Sequence, residues 1–283
     1  MKDLIDYSRA VKPQVLWLAI AAILFTTILI NQWFFPAGAW KPIARASGGW
    51  LNATFQAGWI SIMVIAGAVI MLVGRLRPIH FGIDLSKLGA GLLYAAMIWL
   101  LLNVFFLAFA LAANTAVQYD PSWSEPGARY KISEFAGQIA GNALAEEIIY
   151  RGFFLAQVLL LLRPRFEKRP WLWAALAILF SAAIFAVSHA PNRIWQGRYD
   201  SALAIVGDQA GLMFGGLFFG WLYLRTQNLF FVIGVHALVN RPTLLLALPE
   251  NALPPAVVVN TLALLVALIW NKLPRVEARA MKT

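Results

Sequence analysis

The chain has 283 residues, of which 61% are apolar and only 13% are charged, and its mean hydropathy is +0.70. Soluble domains have about 25% charged residues, so this composition excludes a soluble globular domain and indicates an integral membrane protein. The net charge is +10, but the basic residues lie in short connections between apolar runs, which excludes a nucleic-acid-binding stripe. No cysteine is present, which excludes disulfides, thiolate metal sites and a thiol nucleophile.

The apolar runs are close to the roughly 20 residues that a membrane-spanning helix requires. They cover residues 15–35, 57–74, 88–113, 135–162, 171–189, 201–224, 229–248 and 253–271. We therefore predict an all-α integral membrane protein: a polytopic bundle of about eight transmembrane helices. We expect a single polytopic membrane domain over residues 1–283.

Basic residues predict the orientation of these spans. Lys and Arg are about twice as frequent in the connections on the side of the N-terminus as on the other side, and such connections stay in the cytoplasm. We therefore predict that both termini are cytoplasmic and that the longest connection, residues 114–135, is outside. The charge asymmetry and the lack of cysteine favour a bacterial inner membrane.

Glycines with small-xxx-small spacing occur in the fourth and sixth spans. This spacing lets helix backbones approach closely, so we interpret these glycines as packing residues. They are Gly137, Gly141, Gly211, Gly215, Gly216 and Gly220.

The fourth span contains three ionisable residues within the stretch NALAEEIIYRGFFLA. Glu147 and Arg151 are four residues apart and share a helix face, whereas Glu146 points about a quarter-turn away. Ionisable groups inside a span indicate a functional site that faces the bundle interior or water. The alternative is a structural ion network between helices.

Two later spans carry polar residues that are again spaced by four. Phe185 and His189 share a face in the fifth span, and His236 and Asn240 share a face in the seventh. Each pair alone is also typical of interfacial residues or of an interhelical hydrogen bond. The third histidine, His80, lies in a short loop, where we expect a solvated or interfacial role.

Together these motifs, in this order on three separate spans, resemble those of the CPBP family. The family comprises type II CAAX prenyl endopeptidases and bacteriocin-processing enzymes and is also called the Abi family. The resemblance covers about residues 135–245. It implies an intramembrane endopeptidase of the glutamic type, with a catalytic cavity between helices four, five, six and seven.

The resemblance also implies roles for individual residues. Peptide hydrolysis requires a base that activates water and donors that bind the oxyanion. We expect Glu146 to be the base, His189 to share its proton or orient the water, and His236 with Asn240 to bind the oxyanion.

Four further residues are expected to support this site. Glu147 and Arg151 would hold their helix in register, or Arg151 would assist substrate binding. Phe185 belongs to the second motif. Asp208, about two turns into the sixth span, is interpreted as a supporting residue that faces the cavity, the alternative being a hydrated helix end.

Other catalytic chemistries are less well supported by the spacing. Ser188 is adjacent to His189 and points about 100° away, and Asp200 and Asp208 are too far apart in sequence to share a proton. Zinc is an open alternative, since Glu146, His189 and His236 could form a two-His, one-carboxylate site, although the chain has no HExxH motif. The resemblance favours catalysis without a metal or other cofactor.

A proton-coupled transporter and a catalytically idle scaffold are the alternatives outside enzymology. Buried Glu, His, Asn and Arg also occur in transporters, but the chain has no pseudo-repeated halves. For an enzyme, we expect a membrane-anchored protein or peptide as substrate, and an opening of the cavity to lipid or water. The depths of the motifs do not decide which side it faces, because the predicted seventh span places His236 about two turns from its inner end.

Overall fold

The computed structural model describes residues 7–124, 126–166, 168–249 and 251–273. These residues form an all-helical bundle whose only β-type pairing is an isolated bridge between Tyr119 and Leu246. Six of the helices in these ranges are long and apolar enough to cross a membrane. The prediction of a polytopic, all-α integral membrane protein is confirmed. The C-terminal residues 274–283, which we expect in the cytoplasm, lie outside the described residues.

Each predicted span corresponds to a helix, and one short helix occupies a connection. In the described chain the helices are α1 (Pro13–Phe34), α2 (Lys41–Ala46), α3 (Ala53–Val73), α4 (Leu88–Ala112), α5 (127–162), α6 (Pro170–Trp195), α7 (Ala202–Thr226), α8 (Leu229–Asn240) and α9 (Pro255–Ile269). Helix α5 is not one of the six candidate membrane-spanning helices because it carries the charged residues of the fourth span. Helix α8 is not one of them because it is short.

The predicted seventh span, 229–248, is too long. Helix α8 ends at Asn240, and Arg241 leaves the helical conformation with φ −144° and ψ 84°. The cause is Pro242, since proline disfavours a helical residue before it. The extended chain that follows is held by α4, where the Trp99 indole donates to the carbonyl of Thr243 and Asn103 accepts from the Leu245 N–H.

Helix α5 is not a regular α-helix. Two stretches, Gln138–Asn142 and Glu147–Leu155, have π-helical hydrogen bonding, and α-helical turns flank them. The hydroxyl of Ser181 on α6 donates to the backbone carbonyl of Tyr150 at 2.7 Å, so a neighbouring helix supports the wider turns. Such turns occur frequently at functional sites.

Glycines bring two helix pairs into backbone contact. A Cβ on Gly141 would lie 2.7 Å from the Cα of Phe55 on α3, and one on Gly216 would lie 2.8 Å from Ala182 on α6. Gly137 and Gly220 are similarly enclosed, so the packing prediction is correct for these residues. It is wrong for Gly211 and Gly215 on α7, where an added Cβ would meet nothing within 4 Å and would face open space.

The helix ends form two layers, which we call the basic end and the opposite end. The basic end contains the loops around residues 9–12, 75–87, 163–169 and 225–229. There the Gln157 side chain on α5 bonds to the backbone of Arg9 and Val11, and Lys87 donates to the carbonyl of Gln227. At the opposite end, Asn52 caps α3 and donates to the carbonyl of Ser133 on α5.

Candidate active site

Glu146 lies at the point where the three motifs meet. The Nε2 atom of His189 is 3.6 Å from Oε1 of Glu146, and the Nε2 atom of His236 is 3.5 Å from Oε2. The Asn142 side chain, one turn earlier on α5, donates to Oε1 at 2.9 Å. Residues from α5, α6 and α8 therefore surround one carboxyl group.

Both imidazole rings are fixed through their Nδ1 atoms. His189 Nδ1 is 2.7 Å from the carbonyl oxygen of Phe185, which only accepts hydrogen bonds, so this nitrogen carries a hydrogen. His236 Nδ1 is 2.7 Å from Oε1 of Glu147. If both rings were neutral, their Nε2 lone pairs would face the oxygens of Glu146. A shared proton or the hydrogens of a water molecule must therefore lie between Glu146 and the rings.

Glu147 and Arg151 form a buried support under His236. Nη1 of Arg151 is 3.2 Å from Oε1 of Glu147, the same oxygen that bonds to His236, and both side chains are almost fully excluded from solvent. The guanidinium lies 4.6 Å from the Phe185 ring and 5.4 Å from the Phe219 ring. Because Arg151 reaches neither cavity described below, its position agrees with a supporting role and not with substrate binding.

Aromatic rings hold the two histidines from the side. The Phe185 ring lies 4.5 Å from the ring of His189, and the Phe219 ring stacks on His236 at 4.6 Å with an interplanar angle of 22°. Phe219 has no distinguishing pattern in the apolar sixth span, so the sequence could not identify it. The two rings restrict the motion of the imidazoles without competing for their nitrogen atoms.

A first cavity of about 150 Å³ exposes Glu146 and His189. Its walls come from α1, α3, α5 and α6. Of the predicted spans four to seven, only the fourth and fifth line this cavity, and α1 and α3 stand in place of the sixth and seventh. The polar lining from α1 and α3 includes Thr27, Asn31 and Ser61. These polar residues inside apolar runs are the signal that could have indicated the contribution of both helices.

A second cavity of about 300 Å³ lies between α6, α7 and α8. It is lined by Phe185, Asp208, Gly211, Leu212, Gly215, Phe219, His236, Val239 and Asn240. The two cavities are separated by the contact of Glu146 with His236. Of the four expected catalytic residues, Glu146 and His189 line the first cavity, and His236 and Asn240 line the second.

Asn240 and Asp208 line the second cavity but bond to residues outside the cluster. Asn240 donates to Oε1 of Gln138 at 3.0 Å, and Asp208 accepts from the hydroxyl of Tyr199 at 2.7 Å. Arg193 lies 3.8 Å from the same Asp208 oxygen. The structure thus places Asn240 one turn beyond His236 and places Asp208 at the rim of the cavity.

Gln138, Asn142 and Tyr150 belong to the site although the sequence analysis did not select them. With Glu146 they form a polar stripe spaced by four residues along α5, and this spacing could have identified them. The Tyr150 hydroxyl donates to Ser188 at 2.6 Å, and Ser188 in turn donates to the carbonyl of Phe185. The hydroxyl hydrogen of Ser188 is therefore directed away from His189.

Glu146, His189 and His236 are also the residues of the zinc alternative. Among the residues that the structure describes, no group of three or more His, Cys, Asp or Glu side chains could hold a metal ion. The Nε2 atoms of His189 and His236 approach the two oxygens of the single carboxyl group of Glu146.

The comparisons with known proteins identify the same part of the chain. The family model described as type II CAAX prenyl endopeptidase Rce1-like matches residues 129–241, from the first turn of α5 to the residue after α8. No curated protein and no solved structure matches the chain. The matched residues contain all three motifs, and the predicted assignment to the CPBP family is confirmed. Over residues 129–241, this chain is therefore similar to the type II CAAX prenyl endopeptidases of the Rce1-like family.

Proposed function

We propose that this protein is an intramembrane endopeptidase in which Glu146 activates the water that hydrolyses a peptide bond. Its family consists of peptidases, which act on peptide substrates in a membrane. The observation that carries the proposal is the convergence of His189 and His236 on the two oxygens of Glu146 inside a helical bundle. The substrate would be a membrane-associated protein or peptide.

Glu146 has one oxygen available for water. Its Oε1 atom accepts a hydrogen bond from Asn142 and faces His189, whereas Oε2 faces His236 at the boundary of the second cavity. A water molecule bound at Oε2 would transfer a proton to Glu146 while its oxygen forms a bond to the scissile carbonyl carbon. This step produces a tetrahedral oxyanion.

Stabilisation of the oxyanion requires a hydrogen on Nε2 of His236. Nδ1 of His236 already shares a hydrogen with Glu147. A further hydrogen on Nε2 therefore gives the Glu147–His236 pair one proton more than a carboxylate beside a neutral imidazole. The positive charge of Arg151 beside Glu147 then leaves this side of the site electropositive. Asn240 has a second amide hydrogen, since only one is used by Gln138.

Breakdown of the tetrahedral intermediate returns the proton. Glu146, directly or through Nε2 of His189, donates it to the amide nitrogen, and the carbon–nitrogen bond breaks. The products are a carboxylate and an amine. Water supplies every atom that is added, so the reaction needs no redox partner.

A cleavage assay tests the proposal. Purified wild-type protein and the Glu146→Gln variant, in nanodiscs, would be incubated with a library of single-span reporter peptides, with and without a metal chelator. We expect discrete products from wild type, with chelator or without it, and none from the variant. Absence of cleavage by folded wild-type protein across the library would contradict the proposal, and loss of cleavage with chelator would contradict the metal-free mechanism.

A further inference from the structure

We infer that the active site opens to the non-cytoplasmic side of the membrane, and that its substrates are membrane-anchored polypeptides whose scissile bond lies near that surface. The inference rests on the proposed function, and it adds the side of access and the class of substrate. Three independent features support it: the position of the cavity rims, the closed packing on the other side, and the distribution of basic residues.

Both cavities extend from the catalytic cluster toward the opposite end of the bundle. The rim of the first cavity includes Phe35, just after α1, and Asn192, in the last turn of α6. The second cavity includes Asp208, in the second turn of α7, and Asn240, the last residue of α8. Phe35, Asn192 and Asp208 lie near helix ends of the opposite end. The extended chain after Asn240 continues toward that end, where Leu246 pairs with Tyr119.

Because α8 ends early, at Asn240, the depth of His236 in the membrane agrees with that of His189. His236 is four residues from the end of α8, and His189 is six residues from the end of α6. At 1.5 Å per residue, these positions are about 6 Å and 9 Å below the ends of their helices. Both histidines contact Glu146, so they lie at one depth, which the longer predicted seventh span had obscured.

The basic end is closed beneath the cluster by large side chains. Phe153, Phe154 and Leu155 follow Arg151 on α5, and each is at most 1% exposed. The loop between α3 and α4 packs directly against them, since a Cβ on Gly152 would lie 2.3 Å from the carbonyl oxygen of Phe81. Water or a substrate segment arriving from the basic end would have to displace this layer.

Basic residues place the closed end in the cytoplasm. Lys and Arg near the ends of short loops determine the orientation of helices in a membrane, and the basic-rich side stays inside. Those at the basic end are Arg9, Lys12, Arg75, Arg77, Lys87, Arg163, Arg165, Lys168, Arg169, Arg225 and Lys272. Those at the opposite end are Lys41, Arg45, Arg129, Lys131, Arg193, Arg198 and Arg241.

Several cations at the opposite end are also paired with acids. Lys131 pairs with Asp120, and Arg241 lies 2.9 Å from Glu134. A polypeptide that reaches Glu146 must enter through this end. A scissile bond in the cytoplasmic part of an anchored protein would be separated from Glu146 by the closed layer, whereas one near the non-cytoplasmic surface would face the cavities.

Cysteine labelling tests the orientation, because the chain has no native cysteine. Single variants Asn192→Cys at the first-cavity rim, Arg198→Cys at the opposite end and Arg165→Cys at the basic end would be expressed in bacterial cells. We expect a membrane-impermeant maleimide to label the first two in intact spheroplasts and Arg165→Cys only after permeabilisation. Labelling of Arg165→Cys alone in intact spheroplasts would overturn the inference.

A pair of reporters tests the substrate class. The same cleavable segment would be fused to a single-span anchor in either orientation, so that it lies outside the cell in one reporter and in the cytoplasm in the other. In cells, we expect cleavage only of the outside reporter. In detergent, where sidedness is lost, wild-type protein should cleave both. Cleavage of the cytoplasmic reporter in cells would overturn the inference, whereas failure with both in detergent would count against the proposed function itself.

Discussion

Glu146 and Glu147 are adjacent in the sequence but have different surroundings. The side chain of Glu146 is 16% exposed and lines the first cavity, whereas that of Glu147 is fully buried between Arg151 and His236. A helix produces this difference because neighbouring residues point about 100° apart. One carboxyl group is thus available to water, and the other fixes the orientation of an imidazole ring.

Replacing Arg151 should destabilise the protein strongly. Arg151→Met leaves the carboxyl group of Glu147 buried without its cationic partner, and breaking a buried pair costs about 3–5 kcal/mol. Denaturant unfolding in detergent measures this change. The matched control is Arg45→Met at an exposed position of α2, which should change stability by less than about 0.5 kcal/mol. Equal stability of the two variants would show that the buried pair does not support the site.

Asn142 should affect the rate of cleavage more than the stability of the fold. Asn142→Ala removes the hydrogen bond to Oε1 of Glu146, and hydrogen bonds to charged groups contribute about 1.5–3 kcal/mol, so kcat should fall roughly 10- to 100-fold. The control is Asn31→Ala, because Asn31 lines the same cavity but bonds to a carbonyl of its own helix. A similar kcat in both variants would remove Asn142 from the account.

At the scale of the helices, the site depends on how closely α3 approaches α5. A Cβ on Gly58 would lie 2.2 Å from the backbone carbon of Gly141, so the two backbones touch immediately before Asn142. This contact positions the wall that α3 contributes to the first cavity. If either backbone moved away, Ser61 on α3 would be separated from the polar stripe on α5.

Glycine substitutions should therefore differ between α3 and α7. Gly58→Ala forces the backbones of α3 and α5 apart, and overpacking of this kind costs about 1–3 kcal/mol. Gly215→Ala on α7 adds its methyl group to open space, so its stability should equal that of wild type or exceed it. Unfolding in detergent compares the two variants, and a Gly58→Ala variant as stable as Gly215→Ala would contradict the described contact.

The helices that sequence reasoning predicted well are those with uniform apolar character. Length and hydropathy were sufficient to locate α1, α3, α4, α6, α7 and α9. Four-residue spacing drew attention to His189 and His236, whereas the expected role of Glu146 came from the resemblance. The end of α8 was missed because the residues after Pro242 are also apolar, which hides the change to extended chain. The π-helical turns of α5 and the approach of α1 depend on contacts between helices, so local sequence patterns do not encode them.

At the scale of the whole molecule, the loop between α3 and α4 at the basic end places His80 beside arginine residues. Burial lowers the pKa of His80, and the positive charges of Arg77 and Arg9 lower it further. The ring also accepts a hydrogen bond from the Arg77 N–H through Nδ1. The folded protein therefore favours the neutral ring, whose stabilising contribution is present above the unfolded pKa of about 6.5 and is lost as the pH falls through the lower folded value.

Acidification should thus destabilise wild type more than a variant without this histidine. Between pH 7.5 and 5, the melting temperature of wild type should fall further than that of His80→Gln, since glutamine does not titrate. Thermal unfolding of both proteins in the same detergent measures the difference. Parallel pH profiles would show that His80 titrates as it does in the unfolded chain.

The measurement that tests the central claim most directly is the cleavage rate of two matched glutamate variants. Glu146→Gln removes the proposed base, and Glu134→Gln makes the same change on the same helix, in the ion pair with Arg241. Denaturant unfolding would first verify that both variants are folded. We then predict that kcat falls at least about 100-fold in Glu146→Gln and stays near the wild-type value in Glu134→Gln. Wild-type cleavage by folded Glu146→Gln would contradict the assignment of Glu146 as the base that activates water.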